Sequence, residues 1–342
     1  MIADARLLVI DERGAMTHAP RSSLPERLRP GDLVVANDAA TLPASLHGVH
    51  ARSGAALEVR LAGRSSLSRE DLRFSAVVFG AGDWRTRTED RAPPPALATG
   101  DRLALGPLAA TIVAVLDHPR LVALTFEGPP DAVWAGIARH GRPIQYAYLN
   151  ESLALWDVWT PIAALPVAYE PPSAGFALDW RILARLRARG IGFATLTLAA
   201  GISSTGDPAL DSWLPFDEAY RIPASTALAI RRATASGARI VAVGTTVVRA
   251  LEHAAAHTGA VAAGDGVATQ RIDGHTRLRV VDAILSGTHA PHDSHYQLLR
   301  AFQSDVTLAL ASAELEAHGY RTHEFGDSVL VELHARRAVI AA

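Results

Sequence analysis

The sequence predicts a layered α/β domain that carries a small β-barrel domain, and three observations point there. Short runs rich in Val, Leu, Ile and Phe crowd the first third of the chain. Helical and strand-like segments alternate after Pro129. The length of 342 residues exceeds what one core ordinarily fills. The expected division gives residues 42–128 to the barrel and residues 1–41 with 129–342 to the α/β domain.

The β-like runs are Leu7 to Ile10, Asp32 to Ala36, Ala56 to Leu61, Phe74 to Phe79, Arg102 to Leu105, Ala109 to Leu116 and Arg120 to Phe126, separated by Gly, Pro and Asp. Between them Arg91 to Ala98, with Pro93, Pro94 and Pro95 in succession, reads as a loop. Later, Trp180 to Arg189 places Leu183 and Leu186 on one helical face and stops at Gly190, and Gly192 to Leu198 follows as a strand. Helix and strand alternate again through Ala224 to Ser236, Arg239 to Val243 and Thr246 to Thr258. Val280 to Leu285 reads as a strand, Tyr296 to Gln303 and Val306 to His318 as helices, and Val329 to Leu333 as the closing strand.

Composition narrows the chemistry. A hydrophobic share of 49% against 20% charged belongs to a folded, soluble chain. With no cysteine, disulfides, thiolate metal sites and cysteine nucleophiles are excluded. All 33 basic residues are Arg, so lysine Schiff bases and phosphate-binding lysines are excluded too. A net charge of −2 confines any nucleic-acid site to a local patch. No apolar run of about 18 residues is present, and Asp4, Asp11 and Glu12 stand where a signal peptide would be basic and then apolar. The expectation is a cytoplasmic protein without a membrane partner, monomeric or weakly self-associating.

Three segments could carry chemistry. In Val241 to Glu252 a β-branched strand stops at Gly244, Thr245 and Thr246 follow, and a helix begins, so free N–H groups and hydroxyls point out of the strand's carboxyl end. Two readings are open: a ligand seat, or a helix capped by Thr245 with Arg249 paired to a nearby carboxylate. In Ser286 to His295, His289, His292 and His295 with Asp293 suit general acid/base work or a metal site. Glu170 to Gly175 is a rigid turn entering a helix, able to cradle a ligand or serving only as a proline-led helix start. Asn37-Asp38 and Phe325-Gly326-Asp327 are weaker signals.

These pieces resemble, in order, the segments of the S-adenosylmethionine:tRNA ribosyltransferase-isomerase family of queuosine biosynthesis. Arg29 to Asp38 is similar to its "RPGDLLVxND", Leu42-Pro43-Ala44 to its "IPAR", Pro172 to Gly175 to its "PTAG", and Gly244 to Glu252 to its "GTTSVRALE". Val280-Val281-Asp282 matches the "VVD" before its "TNFHLP" loop, His289 and Pro291 fall on the His and Pro of that loop, and Tyr320-Arg321 with Phe325 to Asp327 resemble "YRFFSYGDAM". The sequence departs from the pattern at Ala177, Ala199 and Phe216, where the family has histidine, and at Ala40 and Ser45, where it has arginine.

The resemblance implies transfer and isomerisation of the ribosyl part of S-adenosylmethionine onto a 7-deazaguanine base in tRNA, with loss of adenine and methionine. S-adenosylmethionine would be the ribosyl-donating co-substrate, tRNA the acceptor, and no metal is expected. It implies catalytic roles for Glu218, His289, Asp327 and Asp38, and binding of S-adenosylmethionine by Gly244, Thr245, Thr246, Arg249, Ser173, Ala174 and Gly175, with Arg249 facing its carboxylate. The departures leave two other expectations: a diverged paralogue that uses S-adenosylmethionine on a small molecule, or a non-catalytic binding protein on the same scaffold. If the lost groups served the nucleic acid, tRNA would bind no tighter than about 10⁻⁴–10⁻⁶ M at physiological salt.

Overall fold

The computed structural model describes residues 5–149, 151–291, 293–322 and 325–334. Its centre is a nine-stranded sheet in the order Gly264–Ala268, Glu218–Ile222, Gly192–Leu198, Leu33–Asn37, Ile240–Val243, Ala283–Gly287, Ser328–Glu332, Arg6–Ile10 and Met16–Pro20. Leu33–Asn37 runs parallel to both of its neighbours and is buried along its whole length, which is why it reads as an unbroken apolar run. Helices Trp180–Ala188, Ala224–Ala235 and Thr245–Thr258 bury Leu186, Ile230 and Leu251 in the cores beside this sheet.

Six antiparallel strands, Leu121–Phe126, Arg73–Phe79, Ala56–Gly63, Ser45–His50, Arg102–Leu105 and Leu108–Val115, close into a barrel. Both parts of the expected architecture are therefore present. The barrel strand Ser45–His50 escaped the sequence reading because His47 and Gly48 interrupt its apolar alternation; Gly48 itself is required, since a Cβ there would lie 2.0 Å from the Ala104 carbonyl oxygen. The outer strands Met16–Pro20 and Gly264–Ala268, the strand Glu218–Ile222 and the helix Pro130–His140 also lacked a readable period.

One barrel wall buries charge. Glu58 takes Arg60 Nε at 2.8 Å, Arg91 Nη1 at 2.5 Å and the Ser45 hydroxyl at 2.6 Å. Burial alone would raise the Glu58 carboxyl, but Arg60 above all, then Ser45 and Arg91, hold it down to about 2.

The strand expected from Val280 begins at Ala283. Its first residues are diverted by Glu252, whose carboxylate accepts the N–H groups of Arg279, Val280 and Val281 at 2.8, 3.0 and 3.0 Å. Three consecutive amides committed to a side chain cannot join a ladder. The expected helix Tyr296 to Gln303 is shorter, Ser294–Leu299, and the next one, Asp305–Ala317, is capped by Ser304, whose hydroxyl accepts from Thr307 N–H at 3.1 Å. Among the described residues no helix is long and apolar enough to cross a membrane.

Candidate active site

Beyond the carboxyl end of Ile240–Val243 lies a cavity of about 670 Å³. This is the place an open α/β sheet offers a ligand. Gly244 makes the turn at φ +93° and ψ 156°, a conformation reserved almost wholly for glycine, and Thr245 and Thr246 start the helix with their unpaired N–H groups. The turn is anchored from the neighbouring strand: the Asn37 amide donates to Leu198 O at 2.9 Å and to Thr246 Oγ1 at 3.3 Å. Gly244→Ala is expected to cost about 1–3 kcal/mol through the forced left-handed backbone, read as a shifted urea midpoint.

Gly244, Thr245, Thr246, Arg249, Ser173, Ala174, Glu218 and His289 all border this one cavity. Gly175 does not; it backs onto Thr160, whose Cγ2 would lie 3.1 Å from an added Cβ. Asp38 and Asp327 also lie off the cavity wall. Asp38 accepts the Thr197 hydroxyl at 2.6 Å. Asp327 is buried against Arg6, accepting its N–H at 2.7 Å and Nη2 at 3.1 Å, and takes the Arg321 N–H at 2.9 Å. Burial would raise the Asp327 carboxyl, but the Arg6 and Arg321 amides and the Arg6 guanidinium hold it below its ordinary value. Both carboxylates are engaged by residues of the frame around the site.

Arg249 also departs from expectation. Its guanidinium does not face the open cavity: Nη1 pairs with Glu218 Oε2, and Nη2 donates to Ala268 O at 2.9 Å and Phe216 O at 3.2 Å. Glu218 Oε1 meanwhile accepts Gly201 N–H at 2.8 Å. Both side chains are almost fully buried, so the pair is charge-compensated within the protein. Of the alternative reading, the pairing of Arg249 with a neighbouring carboxylate holds, the neighbour being Glu218, whereas Thr245 is not the cap: the cap position is Gly244 and no side chain caps the helix.

Across the cavity His289 stacks on His295, ring centroids 4.4 Å apart and planes 11° from parallel. His292 lies outside the described residues. Burial, reinforced by the other ring, keeps His289 well below its usual range, and burial likewise lowers His295. Near neutral pH both imidazoles are uncharged.

The sequence reading missed Tyr146 and gave Glu170 no role beyond its turn. Tyr146 donates its hydroxyl to Glu170 Oε1, and Glu170 Oε2 accepts Ser203 N–H at 3.0 Å, all three lining the cavity. Burial pushes the Glu170 carboxyl upward, against the hydrogen bonds from Tyr146 and Ser203. Their partners are remote in sequence, so no local spacing signalled them.

These shifts set the acid stability of the fold. His253, His289 and His295 titrate lower in the folded chain than in the unfolded one. As pH falls through about 6.5 the unfolded chain takes up protons that the folded chain refuses, so stability is lost toward acid, by up to about 1.4 kcal/mol per pH unit for each histidine. The raised carboxyls Glu170 and Asp282 act in the opposite sense, their stabilisation being present at low pH and lost as pH rises. The histidine contribution is a fall in stability from pH 7 to 5, read by urea unfolding as the part of the pH dependence that His295→Gln should flatten.

Comparison with known proteins agrees with this architecture. Residues 3–331 match the model of a family described as queuosine biosynthesis protein. The S-adenosylmethionine:tRNA ribosyltransferase-isomerase of Gloeobacter violaceus is 34% identical over 332 residues, covering 96% of this chain and 89% of that protein. Its namesake from Sorangium cellulosum is 34% identical over 346 residues, covering 96% and 92%. The crystal structure of S-adenosylmethionine tRNA ribosyltransferase from Thermotoga maritima aligns with a TM-score of 0.50 at 23% identity, over 96% of this chain and 92% of that one, and shares the fold. With the family's model spanning nearly the whole chain and its relatives a third identical end to end, the protein belongs to the queuosine biosynthesis protein family.

Proposed function

We propose that the protein transfers and isomerises the ribosyl part of S-adenosylmethionine onto a 7-deazaguanine base in tRNA. The observation that carries this reading is the meeting, at one cavity, of the Gly244 turn, the Ser173–Ala174 turn and the His289 loop, which are remote in sequence and each match a segment of the family.

S-adenosylmethionine brings a carboxylate, a sulfonium and an adenine. The helix N-terminus at Thr245 and Thr246 suits the carboxylate, with Gly244, Ser173 and Ala174 allowing close backbone approach. Arg249 is then a positioning residue that fixes the Glu218 carboxylate at the wall, where a carboxylate favours the cationic sulfonium. Neutral His289 can accept the proton removed beside the sulfonium and, once charged, return one to departing adenine. At Ser45, where the family pattern has arginine, the hydroxyl donates to Glu58, which Arg60 and Arg91 also hold.

The decisive experiment incubates the protein with S-adenosylmethionine, alone, with tRNA bearing the 7-aminomethyl-7-deazaguanine base, or with that base free, followed by mass analysis. Adenine and methionine released only with tRNA, together with an epoxy-modified base, support the reading. Release with the free base alone would make the protein a small-molecule paralogue, and no release in any arm would leave a binding protein.

A further inference from the structure

A second cluster of metal-binding side chains lies at the opposite end of the sheet from Gly264–Ala268, where the edge strand Met16–Pro20 meets the end of helix Asp305–Ala317. His18 from the strand and Glu314 and His318 from the helix present ligand atoms that all lie within 4.8 Å of one another. None of the three borders the cavity.

Both spacings to the shared carboxylate oxygen are near those of a coordination shell. His18 Nε2 is 3.4 Å from Glu314 Oε2, and His318 Nδ1 is 3.2 Å from the same oxygen. Bonds of about 2.0–2.2 Å arranged tetrahedrally put neighbouring ligand atoms about 3.4 Å apart. The two imidazole rings stand 4.2 Å apart and tilted by 36°, both beside the one carboxylate. Tyr320 hydroxyl lies 2.9 Å from His18 Nδ1, so that with an ion on Nε2 the Nδ1–H would donate to this hydroxyl, the arrangement usual behind a metal-bound histidine. All three side chains are partly open to water, which leaves room for solvent as the remaining ligand.

Two contacts oppose an ion. His318 Nδ1 also lies 2.9 Å from the Glu314 carbonyl oxygen, a bond that metal binding must replace. The Arg6 guanidinium sits 4.2 Å over the Tyr320 ring, but its charge is matched by Asp327 at 3.1 Å. The site's own charge is then the single negative charge of Glu314.

We propose that His18, Glu314 and His318 bind a divalent transition-metal ion of the zinc class, pinning the edge strand to the helix end. Two imidazoles and one carboxylate favour zinc and its neighbours over magnesium or calcium, which prefer oxygen ligands throughout. The ion has no part in the proposed reaction. Its reach toward the cavity is mechanical: Tyr320 leads into Arg321, whose carbonyl accepts the Thr288 hydroxyl at 2.8 Å, and Thr322 borders the cavity.

The test is calorimetric titration of the tag-free full chain, stripped with chelator, against zinc, followed by thermal unfolding with and without the ion. With 14 histidines in the chain, assignment rests on the variants. The expected result is one saturable equivalent, a raised unfolding temperature with zinc, and loss of both in His18→Gln and His318→Gln, which remove a ligand nitrogen at the surface without emptying the core. Tyr320→Phe should weaken binding about tenfold through the freed His18 ring. Absence of saturable zinc binding, binding unchanged in His18→Gln, or equal binding of magnesium would each overturn the proposal. A variant that loses zinc but keeps the native circular dichroism excludes misfolding as the cause.

Discussion

Replacing Arg249 by Ala is expected to destabilise the fold by about 3–5 kcal/mol, because it strands the buried Glu218 carboxylate without a counter-charge. It also removes the donors that hold Ala268 O and Phe216 O. Urea unfolding of the wild type and the variant measures this loss directly. The double replacement Arg249→Met with Glu218→Leu removes both charges and should recover most of it, since two apolar side chains do not need each other as two ions do. A single variant as stable as the wild type would mean that water or another donor takes the place of the guanidinium beside Glu218. The result also separates two kinds of arginine: one that grips a ligand affects binding alone, whereas this one affects the fold first.

The second large effect concerns turnover. His289→Ala should slow adenine release from S-adenosylmethionine by about 10²–10⁴-fold, the range for loss of a general acid or base, while the unfolding midpoint near neutral pH stays close to that of the wild type. The wild-type rate should fall toward acid as the imidazole takes up a proton, with its midpoint below the ordinary histidine range because the ring is buried and faces His295. A variant that keeps the wild-type rate would remove His289 from the proton path and leave it as a wall of the cavity.

Much of the frame was legible because periodicity is a local property. The run Leu33–Asn37, the helix Thr245–Thr258 and the turn at Gly244 between strand and helix each announce themselves within a dozen residues. The site was legible only in part, since the convergence of three segments followed from their places at strand ends, whereas the partner of each polar group did not. Nothing near Arg249 in sequence names Glu218, and nothing near Glu170 names Tyr146. Asp38 and Asp327, acidic residues beside family-like segments, each make a contact that sequence spacing does not reveal. Where a carboxylate overrides strand propensity, as Glu252 does at Val280, even the local reading slips by three residues.

The barrel wall around Glu58 bears on how divergence in such a chain is counted. Position 45 carries a hydroxyl where relatives of this pattern carry a guanidinium, and scored column by column that is a loss. In space the Glu58 carboxylate meets Arg60 from its own strand and Arg91 from the loop after Arg73–Phe79, so two guanidinium groups already stand beside position 45. A single replacement, Ser45→Arg, would therefore crowd a third cation onto one anion.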